Sequence, residues 1–202
     1  MKLVISSRNQ KKIKELRKIF ADSIPENTPE LLSLDDIGFE GDVEENGTTF
    51  EENAMIKAKA IYDFCGLPVF ADDSGICANA LNGEPGIYSA RYAGEDKNDE
   101  KNIDKLIEKL TDKSDKSGYF VCVVAYIDKN GKQHIFRGEC HGTIIDTRMG
   151  ENGFGYDPIF YLEEYKKTFA QIDADLKNKI SHRAVAMDKF TQKIKKETEE
   201  QC

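Results

Sequence analysis

VFADDSGICA, residues 69–78, sets two aspartates, a serine and a glycine behind a short apolar run. Val69, Phe70 and Ala71 read as a buried strand. Asp-Ser-Gly is ordinary turn chemistry, because Asp and Ser bond their own backbone and Gly accepts positive φ. Two neighbouring carboxylates nevertheless concentrate charge where a core normally closes. Taken alone, the stretch reads as a strand that ends in a turn at Asp72-Asp73-Ser74-Gly75, and why two carboxylates sit there is a question for the rest of the chain.

Outward from this stretch, strand-like and helix-like patterns alternate. KLVIS (2–6), LPVFA (67–71) and PIFY (158–161) read as strands. QKKIKELRKIF (10–20), TTFEENAMIKAKAIYDFC (48–65), NDEKNIDKLIEKL (98–110) and SHRAVAMDKFTQKIKK (181–196) read as helices, and KKETEEQC (195–202) as a solvated, frayed end. GYFVCVVAYID (118–128) and KQHIFRGECHGTI (132–144) flank Asn130-Gly131, a strong hairpin signal. Strands alternating with helices, plus one long antiparallel hairpin, predict an α/β fold: a long mixed sheet flanked by helices, in one domain spanning residues 1–202.

The bulk numbers narrow the function classes. With 29 Lys plus Arg against 37 Asp plus Glu, the formal charge is −8. That balance disfavours a nonspecific nucleic-acid or anionic-membrane surface, while leaving room for a local basic pocket. Five cysteines, an odd number without a C-x-x-C pair, indicate neither a disulfide framework nor a cysteine zinc site. The N-terminal apolar run is too short for a signal peptide, and no stretch approaches membrane-spanning length. The expectation is a soluble, cytoplasmic protein with reduced thiols.

Several polar residues fall where the pattern asks for apolar ones. In the helix from Phe50, the stripe Phe50, Ala54, Ile61 and Phe64 encloses Asn53 and Lys57. Such a lysine either snorkels past the stripe or meets an anion. In the C-terminal helix, Ala186, Met187, Phe190 and Ile194, with Ile180, share a face that holds Arg183 near its middle and His182 at its border; Lys177 and Lys179 precede them. SSRNQKK (6–12) joins a strand to a helix. Its hydroxyls and asparagine are good caps, and the same helix end offers free N–H groups to an anion beside Lys12, although no Walker pattern is present. In MGENGFGYDPIFY (149–161), glycines on both sides of Phe154 leave its ring open either to the core or to a planar base.

Together these segments resemble the inosine/xanthosine triphosphate pyrophosphatase family. The resemblance rests on SSRNQKKIKEL (6–16), TTFEENAMIKAKA (48–60), FADDSG (70–75), LNGEPGIYSARYAGED (81–96), GFGYDPIF (153–160) and KISHRAVA (179–186), in one order along nearly the whole chain. The first segment departs from the family's usual form, with Ser7 and Arg8 where Thr and Gly are more common. The resemblance implies two lobes with the active site in the cleft between them, a homodimer, and a requirement for Mg²⁺. The implied reaction is hydrolysis of ITP, dITP or XTP to the monophosphate and pyrophosphate, removing deaminated purine nucleotides from the pool.

Carried over residue by residue, Ser7, Arg8, Asn9, Gln10, Lys11 and Lys12 would cradle the phosphates. Glu44 and Asp73 would hold Mg²⁺, with Asp73 also activating water. Lys57 and Ser74 would touch the triphosphate. Phe154, Gly155, Tyr156, Asp157, Lys177, His182 and Arg183 would surround the nucleotide, chiefly its base. The residue types suit this: Mg²⁺ favours a few carboxylates plus waters, and Arg183 and His182 can donate to a 6-oxo purine but not to the 6-amino group of adenine. The alternatives are another modified nucleotide on the same scaffold, or a nucleotide-binding regulatory module without turnover.

Overall fold

Leu3, Val4 and Ile5 are buried almost completely, and they seat the first strand, β1 (Lys2–Ile5), inside the sheet. The computed structural model describes residues 1–24 and 29–199. After β1 come α1 (Gln10–Ser23), β2 (Glu30–Leu32), α2 (Phe50–Cys65), β3 (Val69–Ala78) and α3 (Asp99–Leu110). They are followed by β4 (Ser117–Ile127), β5 (Gln133–Ile144), β6 (Phe160–Leu162), β7 (Lys167–Thr168), α4 (Ala174–Ile180) and α5 (His182–Glu199). The strands form one sheet in the order β2-β1-β3-β4-β5-β6-β7. β1 runs parallel to β2 and β3, whereas β6 runs antiparallel to β5 and β7. The fold is thus the mixed α/β sheet that the alternating pattern predicts.

Helices α1, α2 and α3 each start where a side chain satisfies one of the first free N–H groups. Asn9 caps α1 by accepting from the Lys12 N–H, Thr49 caps α2 by accepting from Glu52, and Asn98 caps α3 by accepting from Lys101. Gly66 ends α2 in the left-handed region, at φ +65°, where a side chain would be strained.

The chain divides into two compact units. The first comprises residues 1–73, 122–138 and 183–202. Its core joins Ile13, Leu16 and Phe20 of α1 to Phe70 of β3, Val124 and Tyr126 of β4, and Met187, Phe190 and Ile194 of α5. Phe190 is the hub, with its ring centre 4.9 Å from Phe70 and 6.0 Å from Phe20. The second unit comprises residues 74–121 and 139–182, around Ile76, Ile103, Leu106, Phe120, Phe160 and Phe169. Phe160 packs 4.7 Å from Phe120 and 5.1 Å from Phe169. Full burial of one such side chain contributes about 1.5–3 kcal/mol.

The structure corrects the sequence reading at several points. β3 does not end at Ala71. It runs on through Asp-Asp-Ser-Gly to Ala78, so the two aspartates lie inside a ten-residue strand and not at a turn. Phe64 is not part of the buried stripe of α2: it is 53% exposed and makes a T-shaped ring contact with Phe39 at 5.2 Å. The buried face is Phe50, Asn53, Ala54, Ala58 and Ile61, and Asn53 is accommodated because its Oδ1 accepts from the Gly47 N–H at 2.9 Å. α5 continues to Glu199, past the expected start of fraying; residues 200–202 lie outside the described residues. The short elements β2, β7 and α4 carry too few residues to show a period.

Among the described residues, Cys65, Cys122 and Cys140 are free thiols. Among the described residues, no helix is long and apolar enough to cross a membrane.

Candidate active site

Successive side chains of a strand leave on opposite faces, and β3 uses this to give its two aspartates different surroundings. Asp72 leaves on the same face as Phe70, toward α1 and α5. Lys12 Nζ lies 3.2 Å and Arg183 Nη2 3.7 Å from its Oδ2, and the Cys122 thiol reaches the same oxygen at 4.0 Å. Asp73 leaves toward α2, where Lys57 Nζ stands 3.5 Å from its Oδ1 and 2.8 Å from Glu45 Oε2. Both aspartates are buried.

The two carboxyls are driven apart in acidity. Burial alone would raise Asp72, but Lys12, Arg183 and Lys57 together outweigh it and hold the group at about 2. For Asp73, burial is again the largest influence. Lys57 and Lys12 oppose it, Glu45 and Asp72 reinforce it, and the carboxyl ends above its ordinary value. Burial would lower Lys57, yet Asp73, Asp72 and Glu45 keep it charged and raise it. The Cys122 thiol, buried and beside Asp72, is pushed up to about 12 and stays protonated. Asp72 is therefore held as an anion, whereas Asp73 is easier to protonate than a free aspartate; divergent acidities of this kind suit divided acid–base roles.

Asp73 Oδ2 is buried and has no hydrogen-bond partner among the described residues. An orphaned carboxylate oxygen is costly unless something fills its coordination. A hard divalent cation with its waters is chemically suited to it. Asp73 thus fits the carboxylate role expected of it. Glu44 is exposed, and it is Glu45, absent from the sequence-predicted set, that meets Lys57. In VEENG the two glutamates look alike; nothing in the sequence ranks them.

The loop before α1 separates its expected phosphate ligands. Ser7 Oγ accepts from the Asn9 N–H at 3.3 Å, Asn9 caps the helix, and Gln10 and Lys11 are exposed on the first turn. Lys12 reaches Asp72. Arg8 is committed elsewhere: it donates to the Gly41 and Phe39 carbonyls at 2.9 and 2.7 Å and pairs with Asp35 at 3.3 Å. These bonds are exposed, so Arg8→Ala is expected to change stability by less than about 1 kcal/mol while speeding proteolytic cleavage within residues 35–42. Equal cleavage rates in variant and parent would show that other contacts hold the loop.

Arg183 is almost wholly buried in the first turn of α5, and its Nη1 donates to Glu15 Oε2 at 2.5 Å. The guanidinium expected at a base thus bridges Glu15 of α1 and Asp72 of β3. Glu15 was legible only as a polar position on α1. Its removal leaves Arg183 with less compensation: Glu15→Gln should cost about 1–3 kcal/mol, read as a lowered urea midpoint, and an unchanged midpoint would refute the bridge.

In the second unit, the other expected residues gather around Asp157. Its Oδ2 accepts from Lys177 Nζ at 2.7 Å and from the Phe154 N–H at 2.8 Å. Lys177 Nζ also lies 4.9 Å from the centre of the Phe154 ring. Gly153 holds φ +77°, and a Cβ there would collide with the Asp157 carboxylate. The Gly155 N–H donates to Asp99 Oδ2 at 3.0 Å, and the Tyr156 hydroxyl donates to the Ser89 carbonyl at 2.8 Å. Phe154, Gly155, Tyr156, Asp157 and Lys177 are thus brought together. His182 stacks on Phe120, 4.8 Å between ring centres and 12° from parallel. Ser74 is half-buried on β3.

A buried carboxylate pair of split acidity, flanked by lysines on an open α/β sheet, defines a site suited to a polyanion and a hard cation. The chain belongs to the Ham1 family, whose model matches residues 3–193. It is 45% identical over 196 residues to a Bacillus cereus protein named dITP/XTP pyrophosphatase, covering 95% of this chain and 94% of that one. A Staphylococcus aureus protein of the same name is 46% identical over 186 residues, 92% of each chain. Among solved structures, the Staphylococcus aureus Ham1 protein superposes with a TM-score of 0.88 at 44% identity, covering 98% of this chain and 100% of that one. A HAM1 protein from Coxiella burnetii superposes at 0.89 and 37% identity, covering 97% and 99%. The family implied by the six sequence segments is the family these comparisons return.

Proposed function

We propose that this chain hydrolyses deaminated purine nucleoside triphosphates, ITP, dITP and XTP, to the monophosphate and pyrophosphate. The observation that carries the reading is the split aspartate pair, in a chain that matches proteins named dITP/XTP pyrophosphatase along nearly all its length. Asp73, with Glu44 or Glu45, would hold Mg²⁺, which would supply charge neutralisation for the triphosphate and a more acidic water. Asp73, raised in pKa, takes the proton of the attacking water. Lys57 and Lys12 face the phosphates, aided by the N–H groups of Ser7 to Lys12 at the start of α1, with Ser74 beside them. Asp72 stays ionised and holds Lys12 and Arg183 in place.

Phe154 stacks on the base, and Lys177 and His182 donate toward its 6-oxo group, which adenine lacks. The active form is a homodimer in the cytoplasm, with neither nucleic acid nor membrane as partner. The test is pyrophosphate release from ITP, dITP, XTP, GTP and ATP, with and without Mg²⁺. Turnover of the first three, dependent on Mg²⁺ and far above that of GTP and ATP, is the expected result. Preference for another modified nucleotide would replace the substrate class; nucleotide binding without pyrophosphate release would make the chain a regulatory module.

A further inference from the structure

Away from the aspartate pair, the first unit gathers three side chains of metal-ligand type from three parts of the chain. Asp128 opens the turn between β4 and β5, His134 lies at the start of β5, and Glu197 sits near the end of α5. One ligand atom from each lies within 4.8 Å of the other two. Asp128 is six residues along β4 from Cys122, which touches Asp72, so the two places are separated by roughly 20 Å of extended strand.

The three side chains are well sheltered, 9, 15 and 14% exposed. Asp128 Oδ1 accepts from the Asn130 and Lys132 N–H groups at 2.8 and 3.0 Å, which orients Oδ2 toward His134 Nε2, 3.2 Å away. Two donors on one tetrahedral ion, with bonds near 2.0–2.1 Å, stand roughly 3.3 Å apart, so this pair needs little movement. The His134 ring is steadied by stacking on Tyr126, 5.7 Å between centres. Glu197 is held by other partners and would exchange them for the ion. Its Oε2 accepts from the Tyr126 hydroxyl at 2.7 Å and its Oε1 pairs with Lys193 at 3.1 Å. A pocket of about 380 Å³, lined by Asp128, Glu197 and Tyr126 and also by Lys129, Lys132 and Lys193, adjoins the two carboxylates and has room for an ion's waters.

We propose that Asp128, His134 and Glu197 bind one divalent transition-metal ion of the zinc class, with water completing the coordination. The imidazole decides the class: a site with nitrogen among its ligands selects zinc and its neighbours over Mg²⁺, which prefers oxygen alone. Two carboxylates and a neutral imidazole match the charge of the ion. Because its ligands come from the hairpin turn, β5 and α5, the bound ion clips the end of α5 to the hairpin.

The test titrates the full chain, carrying ¹⁵N-labelled histidine, with ZnCl₂ in Mg²⁺ buffer, following the ring nitrogens by NMR and the melting temperature in parallel. The His134 signal, assigned by its loss in His134→Gln, should shift and saturate at one equivalent while the melting temperature rises. Affinity should fall at least about tenfold in Glu197→Gln and in Asp128→Asn, each checked for folding by circular dichroism. A His134 ring that zinc leaves unmoved, or parental affinity in either folded carboxylate variant, overturns the site.

Discussion

Asp73→Asn is expected to lower turnover at least about a hundredfold while leaving the protein folded. The amide keeps the size of the carboxyl but can neither take a proton from water nor contribute charge to a cation, and general base catalysis alone commonly supplies a factor of about 10²–10⁴. Asp73 is also an acid kept above its ordinary value by burial. A base must be deprotonated to act, so parental activity should fall as acid protonates Asp73, and this limb should vanish in the variant. The stability consequence has the opposite sense. An acid whose pKa is raised on folding stabilises the native state below that pKa, and the contribution is lost as pH rises through it. Asp73→Asn should therefore be no less stable than its parent at neutral pH. Near-parental turnover in a folded Asp73→Asn protein would remove Asp73 from the mechanism.

Lys57→Met should lower kcat/KM by about a hundredfold, through two separable effects. The first is loss of a cation toward the triphosphate. The second follows from the position of Lys57 between Asp73 and Glu45, at 3.5 and 2.8 Å. Lys57 is the largest influence lowering Asp73. Without it the Asp73 carboxyl rises further, so the acid limb of the pH–rate profile should move to higher pH. A rate loss with an unmoved limb would confine Lys57 to the phosphates. An unmoved rate would reduce it to a structural ion pair.

The sheet-and-helix order was legible because long amphipathic helices and buried strands repeat at periods of 3.6 and 2 residues. The decisive misreading came at Asp72-Asp73-Ser74-Gly75, whose residue types are those of a turn. What keeps that stretch extended is nonlocal: Lys12 from α1 and Arg183 from α5 compensate a carboxylate that a sequence window sees as uncompensated. Lys57 was rightly singled out as a lysine that needs an anion, but its wheel neighbours did not reveal that the anions come from β3 and from Glu45. The same limit hid Glu15, which is ordinary on a helix surface and matters only once Arg183, 168 residues away, is folded against it. The glycines around Phe154 marked the tight backbone beside Asp157, but the pairing of Asp157 with Lys177 was not legible, since tight backbone leaves a signature in sequence whereas long-range ion pairing does not.

The division of the chain into units also sets the order in which the site can come into being during synthesis. Residues 1–73 contain Asp72, Lys12 and Glu15, yet the unit they belong to is completed by residues 122–138 and by α5. Until α5 emerges, Phe70 and Phe20 lack the Phe190 ring, and Asp72 and Glu15 lack Arg183. A nascent chain stopped before α5 therefore carries both carboxylates without Arg183, with Lys12 left to compensate Asp72. Residues 74–121 and 139–182, which need neither, are all made before Arg183. The unit whose first residues leave the ribosome earliest is the one completed last, and only then does Asp72 gain Arg183 beside Lys12.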